Sequence, residues 1–228
     1  MLIKSVWVAL AGGIVCLDRV CLQAMISRPI VAGPITGTIL GDPFTGLVIG
    51  AFIELLWLDR LPIGIYVPPN DTVVAILAAG CSVIVGNELG HVSHELVAMT
   101  VLLFVPLGVV GQKIDVWIVR SNNVLSAEAL ESAAKGDYKK ITRIHLRGLF
   151  KIFWTSSGLI LAALLLGSSL LVWIYPFIPG KILKAFFYTY YFLPVLGIAV
   201  ALNTVKIRGT LPVFSGIFLI VFLIAEFL

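Results

Sequence analysis

Residues 27–74 read SRPIVAGPITGTILGDPFTGLVIGAFIELLWLDRLPIGIYVPPNDTVV, and this stretch decides how the rest of the chain is understood. Nearly all of it is apolar or glycine, yet single polar groups stand at Arg28, Asp42, Glu54, Asp59, Arg60, Asn70 and Asp71. Such groups are costly in lipid and, where they occur, face a protein interior or a wet cavity. Gly33, Gly37 and Gly41 are spaced four apart, as are Gly46, Gly50 and Glu54, so each set is expected on one helix face. Small residues at that spacing let a second helix come close. The second row should carry the Glu54 carboxylate inward. Pro62, Gly64, Pro68 and Pro69 argue against a long regular helix over residues 61–70. Non-helical backbone at membrane depth persists only where protein covers it or it lines a wet cavity. The segment ending Pro-Pro-Asn-Asp is therefore where a ligand is expected.

Simpler roles stand beside this reading. Asp42 before Pro43 has the pattern of a helix start, since Asp caps and Pro suits the first turn. Asp59 and Arg60 suit an interfacial charge pair. Glu54 is a functional candidate as an intramembrane carboxylate; its alternative is a structural pair with a residue such as Arg28.

Composition sets the class. With 60% hydrophobic and 12% charged residues, the chain is excluded from ordinary soluble domains. A span takes roughly 20 apolar residues, so the expected fold is an all-α polytopic integral membrane protein with about six to eight transmembrane or re-entrant helical segments. One membrane domain over 1–228 is expected: a first helical module (1–111), a basic amphipathic segment (112–151) and a second helical module (152–228). The net charge of +4 is small and gathers in one segment, which speaks of orientation rather than nucleic acid. Cys16, Cys21 and Cys81 have no paired spacing and read as buried, unpaired thiols acting as small apolar residues.

Along the chain, residues 3–26 read as a first membrane helix containing Asp18 and Arg19, neighbours that diverge by about 100 degrees and so should find partners elsewhere. Gln23 carries an amide able both to donate to and accept from a hydroxyl, or equally to bond a neighbouring helix. Residues 29–41 and 43–58 are too short or broken for ideal spans and predict tilted helices or a re-entrant hairpin. Another apolar helix follows over 72–85. Residues 87–95, NELGHVSHE, match no metal-binding spacing and read as a surface loop. Residues 96–111 cross again, kinked at Pro106. Between Gln112 and Lys151 lie eight Lys or Arg against four acids, in two helices joined by a turn at Lys135-Gly136-Asp137; the positive excess predicts a cytoplasmic location. This run is either headgroup-facing charge or a docking surface for a soluble partner. Residues 152–175 form the clearest span, with Trp154, Trp173 and Tyr175 as interfacial anchors. A turn over 176–185 carrying Lys181 and Lys184, a helix over 186–202 kinked at Pro194, the charges Lys206 and Arg208, and a last apolar run complete the chain. The aromatics of residues 186–192 suit an interface better than a sugar face. No catalytic constellation, phosphate loop or metal set appears, so the chain is read as no enzyme, with no cofactor.

The run RPIVAGPITGTILGDPFTGLVIGAFIELLWL, followed by PIGIYVPPND, closely resembles the membrane-embedded IIC component of the mannose/fructose/sorbose family of bacterial phosphotransferase systems. That family shows RPL-x-x-G-x-x-x-G-x-x-LGD, a glycine-rich helix ending in E-L/M, then P/N-IG and V-P-P-D; the dense match covers residues 23–75. The chain departs from it in two respects: Asn70 stands where the family has Asp, with Asp71 next, so the acidic ligand is displaced by one residue or replaced by an amide, and the sequence is short at its C-terminal end, reaching Leu228 without a polar tail. The resemblance implies a sugar-translocating subunit of the bacterial cytoplasmic (inner) membrane that binds a hexose through Gln23, Glu54, Pro69, Asn70 and Asp71. It implies a membrane IID partner, soluble IIA and IIB proteins that perform the phosphoryl transfer, and an oligomer. One part of the subunit would move against another, with the glycine rows as a sliding or packing surface. His145 is not expected to carry phosphate, because IIC proteins of this family are not phosphorylated. The rival readings are an ion-coupled secondary transporter using Glu54 and Asp18, or a membrane subunit without transport activity.

Overall fold

A computed structural model describes residues 1–60, 64, 66–205 and 210–227. The helices are α1 (Leu2–Asp18), α2 (Pro29–Leu40), α3 (Pro43–Leu56), α4 (Asp71–Leu89), α5 (His94–Phe104), α6 (Leu107–Ala134), α7 (Tyr138–Ile174), α8 (Gly180–Val205) and α9 (Thr210–Phe227), with a 3-10 turn at Tyr175–Phe177. Among the described residues there is no strand, and the all-α membrane architecture expected from composition is the one found. Among the described residues, four helical stretches are long and apolar enough to cross a bilayer: Asp71–Leu89, His94–Ala134, Tyr138–Phe177 and Gly180–Thr204.

The centre of the bundle is α4. It is apolar around its whole circumference, the pattern of a helix enclosed on every side, and every residue from Thr72 to Gly86 is buried. Ala75, Ala78, Ala79, Gly80 and Ser82 keep its surface thin, so α1, α2, α3, α5, α6 and α7 all pack on it.

Against α4 lies the α2–α3 hairpin. Its helices touch through backbone: a Cβ on Gly33 would meet the Gly46 carbonyl, one on Gly46 the Gly33 carbonyl, and one on Gly50 the Pro29 carbonyl. Gly37 likewise faces the Asp42 carbonyl. Gly41 departs from the expected row. It is the left-handed C-cap of α2, φ 96°, with open space where its Cβ would stand, so it makes the turn and not the contact. Asp42 caps α3 as its position before Pro43 predicts, accepting from the Thr45 amide at 3.0 Å. At 12 and 14 residues, these helices are about 18 and 21 Å long, short of a hydrocarbon core of about 30 Å. Joined by the turn at Gly41, they form a short helical hairpin, the element expected here in either of its two forms.

α1 runs antiparallel to α7. Gly12 faces Ile160 and Gly13 faces Ser157 and Phe153, while Cys16 shares a cavity wall with Ile152 and Ser156. The end of α1, the linker 19–28, the segment 66–70 and the polar halves of α6 and α7 therefore gather at one end of the bundle. The turn at Lys135-Gly136-Asp137 is present, with Gly136 at φ 69° and Asp137 capping α7. α6 and α7 run unbroken through positions 111–112 and 151–152.

Several local expectations change. Residues 176–185 are not one turn: the Pro179 carbonyl accepts from the Ile182 and Leu183 amides at 2.9 and 3.1 Å, so α8 begins at Gly180 and carries Lys181 and Lys184. The surface loop narrows to residues 90–93, because α4 continues to Leu89 and Ser93 caps α5 through the Leu96 amide. Pro106, which lacks an N–H, interrupts the hydrogen-bond ladder between α5 and α6 while Val105 and Pro106 keep helical dihedrals, so the stretch His94–Ala134 continues through the break expected there. Pro62, Lys206 and Arg208 lie outside the described residues.

Gly33→Leu and Gly50→Leu should each force α2 from α3 and reduce the yield of monodisperse, detergent-extracted protein severalfold. Gly158→Ala, which meets open space, should leave it unchanged. Size-exclusion profiles of the three variants check this.

Candidate functional site

The polar break is organised by Arg19. It follows the last residue of α1, and its Nη1 donates to Asn70 Oδ1 at 2.9 Å and to Asp71 Oδ1 at 3.0 Å. Its neighbour Asp18, 2% exposed, faces elsewhere. Asp18 accepts from the Ala24 amide at 2.7 Å and from the Ser27 amide and hydroxyl, each at 3.0 Å, folding the linker back on the helix end. The two charges thus find separate partners, although the first helix ends at Asp18 and does not continue to residue 26 as expected. Thr72 Oγ1 donates to the Ser27 carbonyl at 2.6 Å and ties the same linker to α4.

Asn70 is 2% exposed, and its side chain and backbone are both engaged, with one Nδ2 donor left over. Its Oδ1 also accepts from the Val73 amide at 3.0 Å, capping α4. Its Nδ2 donates to Asp115 Oδ2 at 2.9 Å, and its backbone amide donates to the Gly108 carbonyl at 2.8 Å. Gly111 lies against Asn70, where a Cβ would meet the Asn70 Cβ at 2.6 Å. Gln112 Nε2 donates to the Val67 carbonyl. Gly108, Gly111, Gln112 and Asp115 recur at helical spacing, so a single face of α6 binds the irregular segment. That satisfies the backbone groups which non-helical chain at membrane depth would otherwise leave exposed.

Two cavities adjoin this cluster, and Arg19 and Pro68 belong to the walls of both. One, of about 450 Å³, lies between α1, α6 and α7 and offers Asn70, Asp115, Asn122, Asn123 and Ser156 among apolar neighbours such as Tyr66 and Ile118. The other, of about 610 Å³, lies beside the α1–α2 linker and offers Asp18, Gln23, Ser27, Arg28, Arg60 and Asp71. Among the described residues, hydrogen bonds from Arg19 leave only through Nη1, so its remaining donors are free for a ligand. In the first cavity a few convergent charged and amide groups stand in a mostly apolar wall, an arrangement that suits a small neutral molecule rich in hydroxyls, while the second cavity is lined mainly by polar and charged side chains.

The expected binding residues are divided by the structure. Asn70 and Asp71 sit together at Arg19, on opposite cavities. Gln23, exposed and with a left-handed backbone at φ 53°, reaches the cavity of Asp71. Pro69 is half-buried and shapes the backbone, its carbonyl accepting from the Asp71 amide at 3.0 Å. Glu54 lines neither cavity. It is ion-paired with Arg28, and its other oxygen takes a 3.4 Å bond from the Ile30 amide, which is the structural pairing named as its alternative. Asp59 and Arg60 pair with each other at 3.4 Å. The aromatics of α8 pack on one another and on α3 and α5, with Tyr190 stacked on His94 at 4.3 Å and edge-on to Phe52 at 5.4 Å.

Two residues of the cavity wall were not expected there from the sequence: Arg19 and Asp115. Asp115 sits in VVGQKIDVWIV, an acid inside an apolar run, and that is the same signal that marked Glu54. Its position at the start of a segment rich in Lys and Arg masks that signal.

Asn70→Asp would set a second carboxylate against Asp115 at hydrogen-bond distance. It should cost on the order of 2 kcal/mol and lower the thermal midpoint. The double change Asn70→Asp/Asp115→Asn exchanges donor and acceptor across the same contact and should recover most of that loss in a thermal-shift assay.

The comparisons agree with this architecture. The profile of the family described as "PTS system sorbose-specific iic component" matches residues 2–228. The mannose-specific EIIC component of Escherichia coli K12 is 28% identical over 189 residues, 82% of this chain and 68% of that protein. The sorbose-specific EIIC component of Lacticaseibacillus casei is 25% identical over 214 residues, 93% and 74% of the two chains. In fold, the chain is similar to a solved membrane protein at TM-score 0.74 and to a chain of the mannose transporter ManYZ–microcin E492 complex at TM-score 0.65. Each likeness is at 22% identity and covers 96% of this chain and 86% of the other. The chain belongs to the sorbose-type IIC family of phosphotransferase-system sugar permeases.

Proposed function

We propose that this subunit carries a hexose across the bacterial cytoplasmic membrane, binding it in the cavity beside Asn70 and Asp115 and presenting it to a phosphorylated IIB protein. The observation that carries the reading is the Arg19–Asn70–Asp71–Asp115 cluster, which lies between two adjoining cavities and contributes polar groups to the walls of both. Relatives are named for mannose, sorbose and fructose, so the substrate is assigned at the level of the class. The basic α6–α7 hairpin puts the polar end of the bundle in the cytoplasm by the positive-inside rule, within reach of a soluble phosphoryl donor. Phosphate transfer then belongs to IIA and IIB, and IID is the membrane partner. Gln23 and Asp71 serve the second cavity on the same path, with Pro69 holding the turn. Glu54 acts through Arg28 at that cavity's rim. The backbone contact between α2 and α3 makes the hairpin one rigid piece in any movement.

Asp115→Asn and Arg19→Gln should each weaken hexose binding to the purified protein about tenfold or more, because each removes a charge-assisted hydrogen bond worth roughly 1.5–3 kcal/mol. Asp71→Asn should cripple uptake in vesicles supplied with phosphoenolpyruvate and the partner proteins, and Glu54→Gln should impair it less. Unchanged binding in the first two variants would remove the cavity from the route. Uptake that ignores phosphoenolpyruvate and collapses with an ionophore would replace the reading with ion coupling.

A further inference from the structure

The groove between α6 and α7 lies outside the sugar cluster and has its own chemistry. It is a cavity of about 580 Å³ whose walls include Ser121, Glu128, Arg147, Phe150, Lys151 and Trp154. Lys139, Arg143, Arg147 and Lys151 recur every four residues, so they form a basic row along one face of α7 that ends at this groove. Among the described residues no carboxylate pairs with Arg147 or Lys151. The one acid in the wall, Glu128, is itself engaged by Lys140 at 3.7 Å. Lys151 Nζ is held in place, donating to Ser121 Oγ at 2.9 Å and standing 5.6 Å over the Trp117 ring. The aromatics alongside face outward: Trp154 is 63% exposed, Phe150 59% and Trp117 55%.

A site for a soluble anion has no use for that apolar rim. Cations beside outward-facing tryptophans, where a helix passes from a basic into an apolar stretch, are the features of the membrane interface. We infer that the α6–α7 groove seats one anionic phospholipid from the cytoplasmic leaflet. Its phosphate lies against Arg147 and Lys151, and its upper acyl chain lies along Phe150 and Trp154. Charge complementarity selects the headgroup, and the aromatic wall selects a lipid over a free anion. Such a lipid would tie the α6–α7 hairpin, which shares α6 with the Asn70 contact, to a fixed membrane depth.

Native mass spectrometry of the full chain, offered equal phosphatidylglycerol and phosphatidylcholine, tests this. Two interfacial cations should give retention of phosphatidylglycerol by about 10- to 30-fold, falling to within about twofold in Arg147→Gln/Lys151→Gln and unchanged in Lys181→Gln. A wild type with no preference overturns the proposal. So does a double variant that keeps it, or displacement of the lipid by equimolar inorganic phosphate. Should the double variant fail to fold, tryptophan quenching in the unsubstituted protein decides. Brominated phosphatidylglycerol should quench more than brominated phosphatidylcholine, and Trp154→Phe should remove most of that excess. Equal quenching by both lipids contradicts the assignment.

Discussion

One buried amide holds the permease's polar centre together. Asn70 caps α4, accepts from Arg19 and donates to Asp115, while its own backbone is fastened to α6 through Gly108. Each of these groups would be expensive alone in an apolar bundle, because desolvation of an unpaired charge exceeds what any single contact returns. Together they are satisfied. Arg19 compensates Asp71 and is placed by Asn70, and Asn70 supplies Asp115 with the donor a lone carboxylate would lack. Removing one member exposes the others, which is why four residues from α1, α4 and its approach, and α6 act as a unit.

The glycines determine where that unit can sit. Because α2 and α3 meet through their backbones at Gly33, Gly46 and Gly50, the hairpin is thin and packs closely on α4. Its two short helices return the chain to the polar end of the bundle. The linker 19–28 and the segment 66–70, which flank the hairpin in sequence, are thereby brought side by side. The cavities on either side of Arg19 follow from this return. Gly111 repeats the device on α6, where the absence of a side chain lets Asn70 lie flat on the helix.

Much of this was legible in the residues. Rare polar groups in an apolar chain, glycines four apart and Asp before Pro are local signals, and the membrane class, the hairpin and the α3 cap follow from them. The pairing of distant groups is not local. Glu54 and Asp115 carry the same intramembrane signal, yet Glu54 is taken up by Arg28 and Asp115 by Asn70. Only the fold decides which carboxylate reaches a cavity. Arg19 was visible as a charge in need of a partner, but its position between two cavities depends on how α1 crosses α7. The displaced acid of the Pro-Pro-Asn-Asp segment has a physical sense here: an amide at position 70 can serve Arg19 and Asp115 at once, which a carboxylate cannot.

The most direct test of the central claim is a density map of the purified protein with a bound hexose. The account predicts sugar density in the cavity between α1, α6 and α7, with hydroxyls within hydrogen-bond distance of Arg19, Asn70 or Asp115. A hexose bound out of contact with all three would contradict it.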